Sequence, residues 1–401
     1  MEGDGQQATG GVGGSFLTVL AADFQRVVWG DDAPEHWVRL SKEPPVRKDG
    51  MVWITSSSSV YEAMHHPEIF SSGPDASFFG SDEGLIPLQI DPPRHVGYRR
   101  VLDPLFAPRK MAALEADLSE FANGCIDSFA ERGSCDFSDE FAVPFPIGTF
   151  LRLMGLPYDR LGEFLRLKDE QIRPAASSPE EFEASRRGSR AEIVAIFNEA
   201  LDARVGDRRD DILSYFVELE LSGRLTRAEV LNICHLLLLA GLDTVTGTLE
   251  VAFGLLARRV DLQQELARDP GLVPSAVEEL LRWVVTSPTQ IRVATEDTTL
   301  EGCPIHKGDP VAVLLATENF DPDKFPDPLT VDLHRQPNNH ASFSEGVHRC
   351  LGSHLARLEL RVALREWHRR IPRYQLSRGF EIRYTPSLRG IPHLALEFVT
   401  T

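Results

Sequence analysis

The chain has 401 residues, 42% of them hydrophobic and 25% charged, with 60 acidic against 42 basic residues and a formal net charge of −18. This apolar content excludes a disordered chain, and the acidic balance argues against nucleic acid as the main partner. The richest apolar run, residues 236–242, is far shorter than the ~20 residues a membrane span needs.

The glycine-rich residues 1–15 lack a basic region followed by an apolar stretch, so they read as a flexible tail rather than a secretory signal. Residues 16–401 read as one domain. Residues 46–55 suggest a hairpin turning at Asp49-Gly50. Ser59 precedes a short helix through Met64. A loop rich in Ser, Gly and Pro spans 71–93 and carries Phe78, Phe79, Leu85, Ile86 and Leu88, which is unusually apolar for a surface connection.

From 94 to 281 helical spacing dominates. Residues 111–130 and 182–205 predict helices, the second long and charged. Thr226 with Glu229 three residues on is a capping-box signature. The helix it opens, 226–259, would be ~50 Å long, and its middle is apolar nearly all round, which predicts burial. Short strands follow at 291–294, 298–300 and 311–314. An irregular stretch, 319–344, is dense in Pro, Asp, Asn and His; 351–369 is helical and the last residues return to strands. The pattern predicts a mainly α (α+β) fold, one large helix-rich domain with small sheets.

Five cysteines (Cys125, Cys135, Cys234, Cys303 and Cys350) form no C-x-x-C pair, as expected of free thiols in a reducing cytoplasm. Cys350 stands where the irregular stretch meets a helix start, whose N–H groups and dipole favour a thiolate. A nucleophile, a zinc ligand or a haem ligand are all possible there, although His348 and His354 alone do not complete a zinc site. Ala240-Gly241-Leu242-Asp243-Thr244 places a carboxylate and a hydroxyl inside an apolar helix, where burial is costly without a reason. Thr244 can bond back to the Ala240 carbonyl and help open the helix; a satisfied polar kink is the plainer reading. Glu279 and Arg282, spaced i,i+3, are by themselves an ordinary helix pair.

Taken together, F-x-x-G-x-H-x-C-x-G-x-x-L-A-R (343–357), A-G-x-D-T (240–244) and E-x-x-R (279–282) resemble the cytochrome P450 family. So do Asp91-Pro92-Pro93-x-His95-x-x-x-Arg99 and the segment from Asn319 through Asp321-Pro322 to Phe325-Pro326-Asp327-Pro328. The closest likeness is to soluble bacterial members of the camphor-hydroxylase type. One position departs: Ser344 stands where the pattern has glycine.

The resemblance implies a haem b cofactor between the long helix and the cysteine loop, with O2 as co-substrate and Cys350 as the thiolate ligand to iron. Phe343 would pack beside that thiolate, with Gly352 and Ala240 against the haem. His95, Arg99, Arg292 and His340 would bind its propionates. Glu279, Arg282 and Arg335 would form a buried network under the cysteine loop. Thr244 and Asp243 would deliver protons on the distal side. The pocket would be lined by Phe78, Phe79, Glu83, Leu85, Leu236, Leu239, Val285, Pro288, Thr289, Gln290, Ser387 and Leu388, mostly apolar. These implications describe a cytoplasmic, monomeric monooxygenase that hydroxylates a hydrophobic molecule, terpenoid- or steroid-like by analogy, with electrons from a ferredoxin and its reductase. Epoxidation, oxidative coupling, or a non-catalytic haem sensor are the alternatives. Arg94, Arg100, Arg109, Lys110, Arg349 and Arg357 would offer the acidic ferredoxin a local cationic face.

Overall fold

The computed structural model describes residues 29–76, 84–172, 174–385 and 388–400; the tail 1–15 lies outside them. The helices are α1 (Ala33–Leu40), α2 (Ser57–His65), α3 (Arg94–Leu102), α4 (Pro108–Ala112), α5 (Glu115–Asp127), α6 (Pro144–Met154), α7 (Leu161–Ile172), α8 (Pro179–Gly206), α9 (Ile212–Leu221), α10 (Arg227–Leu256), α11 (Val260–Arg268), α12 (Val273–Val284), α13 (Ala316–Asn319) and α14 (Ser353–Arg370). The strands are β1 (Val46–Lys48), β2 (Met51–Ile54), β3 (Phe70–Ser71), β4 (Ser134–Asp136), β5 (Gln290–Ala294), β6 (Thr298–Leu300), β7 (Cys303–Ile305), β8 (Pro310–Val313), β9 (Arg373–Leu376) and β10 (Ala395–Val399). They form sheets of order β1-β2-β8-β5-β3, β4-β10-β9 and β6-β7, with β2 and β8 parallel.

Local chemistry explains where these elements begin and end. Asp49 and Gly50 both have positive φ, 53° and 75°, as the tight hairpin turn between β1 and β2 requires. Ser56 caps α2 by accepting the Ser59 N–H at 3.2 Å, so this helix starts two residues before Ser59. The stretch expected as one helix over 111–130 is split. Ala113 and Leu114 donate to Lys110 and Met111, three residues back, and that tight turn separates α4 from α5.

Helix α10 is the axis of the molecule. Thr226 and Glu229 form the full capping box at its start, and its 30 residues span ~45 Å. It is long and apolar enough to cross a bilayer, but 78% of its most apolar window is buried inside the protein, as in a core helix. Phe253 of α10 meets Trp367 of α14 at 5.1 Å between ring centroids. Phe137 and Phe141 complete the same aromatic group, at 5.0 and 5.6 Å from Trp367. This packing holds the helix that follows Cys350 against the helix that carries Asp243 and Thr244.

Candidate active site

Cys350 is delivered by a loop that reverses twice. Ser344 (φ 60°) and Gly346 (φ 65°) both adopt left-handed backbone. A Cβ on Gly346 would lie 2.2 Å from the Met64 carbonyl oxygen, so only glycine fits where the loop crosses α2. The Cys350 N–H donates to the Phe343 carbonyl at 2.8 Å, closing the loop. Cys350 is exposed, yet desolvation is the largest influence on its thiol and pushes it up. Both hold if the sulfur lines the floor of a recess. The Gly352 N–H and the charges of Arg99, Arg349 and Arg357 act in the opposite sense.

Beneath the loop lies a buried ion network. Glu279 and Arg282 are fully buried and pair through two hydrogen bonds of 2.8 Å. Glu279 also accepts from Arg335, Asn338 and the Asp332 N–H. Arg282 spends its remaining donors on the carbonyls of Asn319, Pro328 and Thr330. One i,i+3 pair on α12 therefore ties four segments of the irregular stretch together.

Beside the loop, His95 of α3 packs its ring on His348 with centroids 4.4 Å apart. The His348 Nε2 stands 3.8 Å from Asp91, and Asp91 accepts from the Ser72 N–H at 3.0 Å. Burial, then the charges of His348 and Arg99, lower His95 to about 4. Its Nε2 is buried and has no hydrogen-bond partner among the described residues. Arg292 of β5 is 7% exposed and desolvation lowers it to about 10. Its guanidinium donates to the Ile291 carbonyl at 2.7 Å and lies 3.9 Å from the Met64 sulfur, with no carboxylate in ion-pair reach among the described residues. Arg99 donates to Asp103 and to the Arg349 carbonyl, each at 2.7 Å.

His340 is turned elsewhere. Its Nε2 meets Glu278 at 3.2 Å and its Nδ1 accepts the Ser342 N–H. Glu278 also takes two bonds of 2.8 Å from Arg357, which lies 4.4 Å over the Phe343 ring. His340 and Arg357 line an outer recess of about 360 Å³.

The face of α10 opposite the loop is not buried all round, as its sequence suggests. Ala240 and Gly241 are exposed and Thr244 is half-buried. The Thr244 hydroxyl donates to the Ala240 carbonyl at 2.9 Å, and Thr248 repeats the pattern onto Thr244 at 2.7 Å. The helix nonetheless runs unbroken through both. Asp243, 5% exposed, pairs with Lys168 of α7 at 2.9 Å, and both side chains are almost fully enclosed. One turn further, Leu236, Leu239 and Leu85 form a small apolar cluster with Ile172, separate from the main core.

The other expected pocket residues divide. Pro288 is buried; Thr289 and Gln290 are half-buried, and the Thr289 hydroxyl has no partner among the described residues. Leu388 is half-buried and its carbonyl takes the Thr385 hydroxyl. Val285 is placed differently. It ends α12 at φ 41° and, 2% exposed, packs with Trp29, Trp37 and Phe320 in a different core cluster. Phe78, Phe79, Glu83 and Ser387 lie outside the described residues.

A sequence model of the family "Cytochrome P450" matches residues 271–369. A probable cytochrome P450 127A1 of Sinorhizobium fredii is 36% identical over 87% of this chain and 83% of its own length. A steroid C26-monooxygenase of Mycobacterium tuberculosis is 31% identical over 86% of this chain and 87% of its own. Among solved structures, CalO2 superposes with a TM-score of 0.85 at 27% identity, over 94% of this chain and 98% of that one. The chain belongs to the cytochrome P450 family.

Cytochromes P450 are monooxygenases that use cysteine-ligated haem and O2, take electrons from redox partners and bind hydrophobic substrates. The residues of this P450 fit that cofactor. A buried arginine without a carboxylate and a buried histidine nitrogen without a partner suit a group with two carboxylates. Exposed Ala240 and Gly241 leave a flat face without bulky side chains. The expectation for His340 needs correction, because both of its nitrogens are already engaged. His348, two residues before Cys350, joins His95 and Arg292 instead. The sequence marks His348 only as an incomplete zinc ligand, although it lies inside the cysteine motif; its signal was adjacency to Cys350. Lys168, 75 positions from Asp243, gave no local signal at all.

Proposed function

We propose that this cytochrome P450 hydroxylates a C–H bond of a hydrophobic small molecule of terpenoid or steroid size, with electrons supplied by a ferredoxin and its reductase. The observation that carries the reading is the apolar group in which Leu236 and Leu239, on the same helix as Asp243 and Thr244, meet Leu85 and Ile172. The relative named as a steroid C26-monooxygenase supports the substrate size. When bound, haem supplies the reduction of O2 and the oxidation of the C–H bond, with Cys350 as its thiolate ligand and Phe343 beside the sulfur. His95, His348, Arg292 and Arg99 hold its propionates. Glu279, Arg282 and Arg335 keep the loop in place.

The chain's own work on the distal side is proton delivery. One oxygen atom enters the product and the other leaves as water, so two protons and two electrons are consumed. The Thr244 hydroxyl proton is committed to the Ala240 carbonyl, which leaves the Oγ1 lone pairs to hold a water. The Asp243 carboxylate passes protons to that water, and Lys168 sets where the carboxylate stands. In Thr244→Ala we expect reducing equivalents to be consumed without matching product. Unchanged coupling of NAD(P)H use to product would refute the role.

Electron transfer is assigned to the cysteine side, where Arg100, Arg109, Lys110 and Arg349 are exposed beside Val96 and Val347. Arg357, by contrast, is committed to Glu278. Rising salt should weaken ferredoxin binding if this face is used. We further read the protein as a cytoplasmic monomer, which sedimentation of the haem-loaded protein would test.

A further inference from the structure

We propose that Asn232 is a positioning residue for substrate choice: its carboxamide fixes Leu85 as the upper stop of the distal pocket, so that the enzyme selects its hydrophobic substrate by length. This rests on the reading of that pocket given above.

Asn232 is 9% exposed on α10. Its Oδ1 accepts the Ile86 N–H at 2.8 Å and its Nδ2 donates to the Gly84 carbonyl at 2.9 Å. One side chain thus grips the backbone on both sides of Leu85, as a neighbouring strand would. The remaining N–H, that of Leu85, donates to the Gln89 side chain at 2.8 Å. With its backbone held at three points, Leu85 has little freedom in where its side chain goes. That side chain is fully buried and lies on Leu236 and Leu239.

Helix geometry turns this grip into a measure. Positions 232, 236, 239 and 243 share one face of α10. Asn232 stands ~16 Å along the axis from Asp243, and Leu236 ~10 Å from it. The open strip of the helix is at Ala240, Gly241 and Thr244, and a substrate that reacts there can extend along α10 only as far as the buried group of Leu85, Leu236 and Leu239, which closes that end. Because the carboxamide acts only on backbone atoms of the loop, the stop stays in place whatever ligand enters. On the other side of α10, His235 feels the charges of Arg190 and Arg186 of α8.

The test uses the full-length, haem-loaded protein and the haem absorbance shift on binding of imidazole, 4-phenylimidazole and 4-(biphenyl-4-yl)imidazole. In Asn232→Leu, similar in volume but without the hydrogen bonds, imidazole affinity should stay within about twofold. The biphenyl compound should bind about tenfold or more tightly, the range over which pocket size discriminates ligands. Leu85→Ala should do the same, and the double variant should add no more than about twofold to either single change. Asn232→Ser serves as the second variant if Asn232→Leu does not retain haem. An unchanged biphenyl-to-imidazole ratio in the Asn232 variants would overturn the proposal, as would additive effects in the double variant. Failure of wild-type protein to shift with imidazole would instead refute the haem-site reading.

Discussion

On the cysteine side of the site, the carboxylates of Glu278 and Glu279 each have several partners. Glu279 receives Arg282, Arg335, Asn338 and a backbone N–H, and Glu278 receives Arg357 and His340. On the distal face of α10, the ion pair of Lys168 with Asp243 and the carboxamide of Asn232 hold the neighbouring elements beside an apolar cluster of four residues. The first region is over-determined and the second has few restraints. A site that must hold one fixed cofactor gains from the former. A pocket fitted to one substrate among many needs few ties, each of which can be exchanged without unseating the iron.

Substitutions can test this contrast. Cys350→Ala should abolish turnover and remove the red-shifted absorbance of the reduced, carbon-monoxide-bound protein. Survival of that band would place the ligand elsewhere. Glu279→Ala leaves buried Arg282 and half-buried Arg335 without their shared counter-charge and should cost about 3–5 kcal/mol in urea denaturation, with haem loss. A cost like that of a surface residue would show that the cysteine side is less tightly determined than its bonds suggest. Asp243→Asn should lower turnover on the order of 10²-fold while the carbon-monoxide spectrum stays unchanged, confining the damage to the α10 side.

Acid should separate the regions as well. Burial, then Arg190 and Arg186, lower His235 to about 4, so it is neutral when folded but takes a proton when unfolded below about pH 6.5. Stability is therefore fully present above that pH and declines toward pH 4, by up to about 1.4 kcal/mol per unit. Burial alone would raise Glu278, but His340 and Arg357 hold it at about 2, so its contribution is full above about pH 4.5 and fades only below. His235→Leu should reduce the slope of the stability profile between pH 6.5 and 4, where His95 and His368 titrate alike, and Glu278→Gln should change it only beneath 4.5. Identical profiles for the two variants would erase the distinction. The smallest effect is expected from Ser344→Gly, which relieves a left-handed non-glycine residue and should stabilise by about 1 kcal/mol, seen as a slightly higher Tm.

What the sequence reveals follows the same division. Glu279 and Arg282 lie one turn apart on one helix, so their partnership shows in the spacing. The capping box of Thr226 and Glu229 is equally local. His340 and His348 sit eight residues apart in one motif, and their roles are separated only by the reversals at Ser344 and Gly346. Spacing says nothing about which way such a loop turns. Lys168 and Asp243, or Asn232 and Ile86, meet across tens to more than a hundred positions, where no periodicity reaches. Exposed Ala240 and Gly241 contradict the buried helix that their apolar neighbours suggest, because composition cannot tell a core face from one reserved for another body.

Helix α10 carries the proposed length stop near Asn232 and the proposed proton-handling pair, Asp243 and Thr244, on one unbroken rod. Inserting or deleting a single residue between them would rotate one end against the other by ~100° and shift it ~1.5 Å. Changes of chain length are therefore closed to this part of the pocket. Its descendants can acquire new substrates by exchanging side chains along the rod or by rebuilding the loop that Asn232 grips, and the interval from 232 to 244 stays constant.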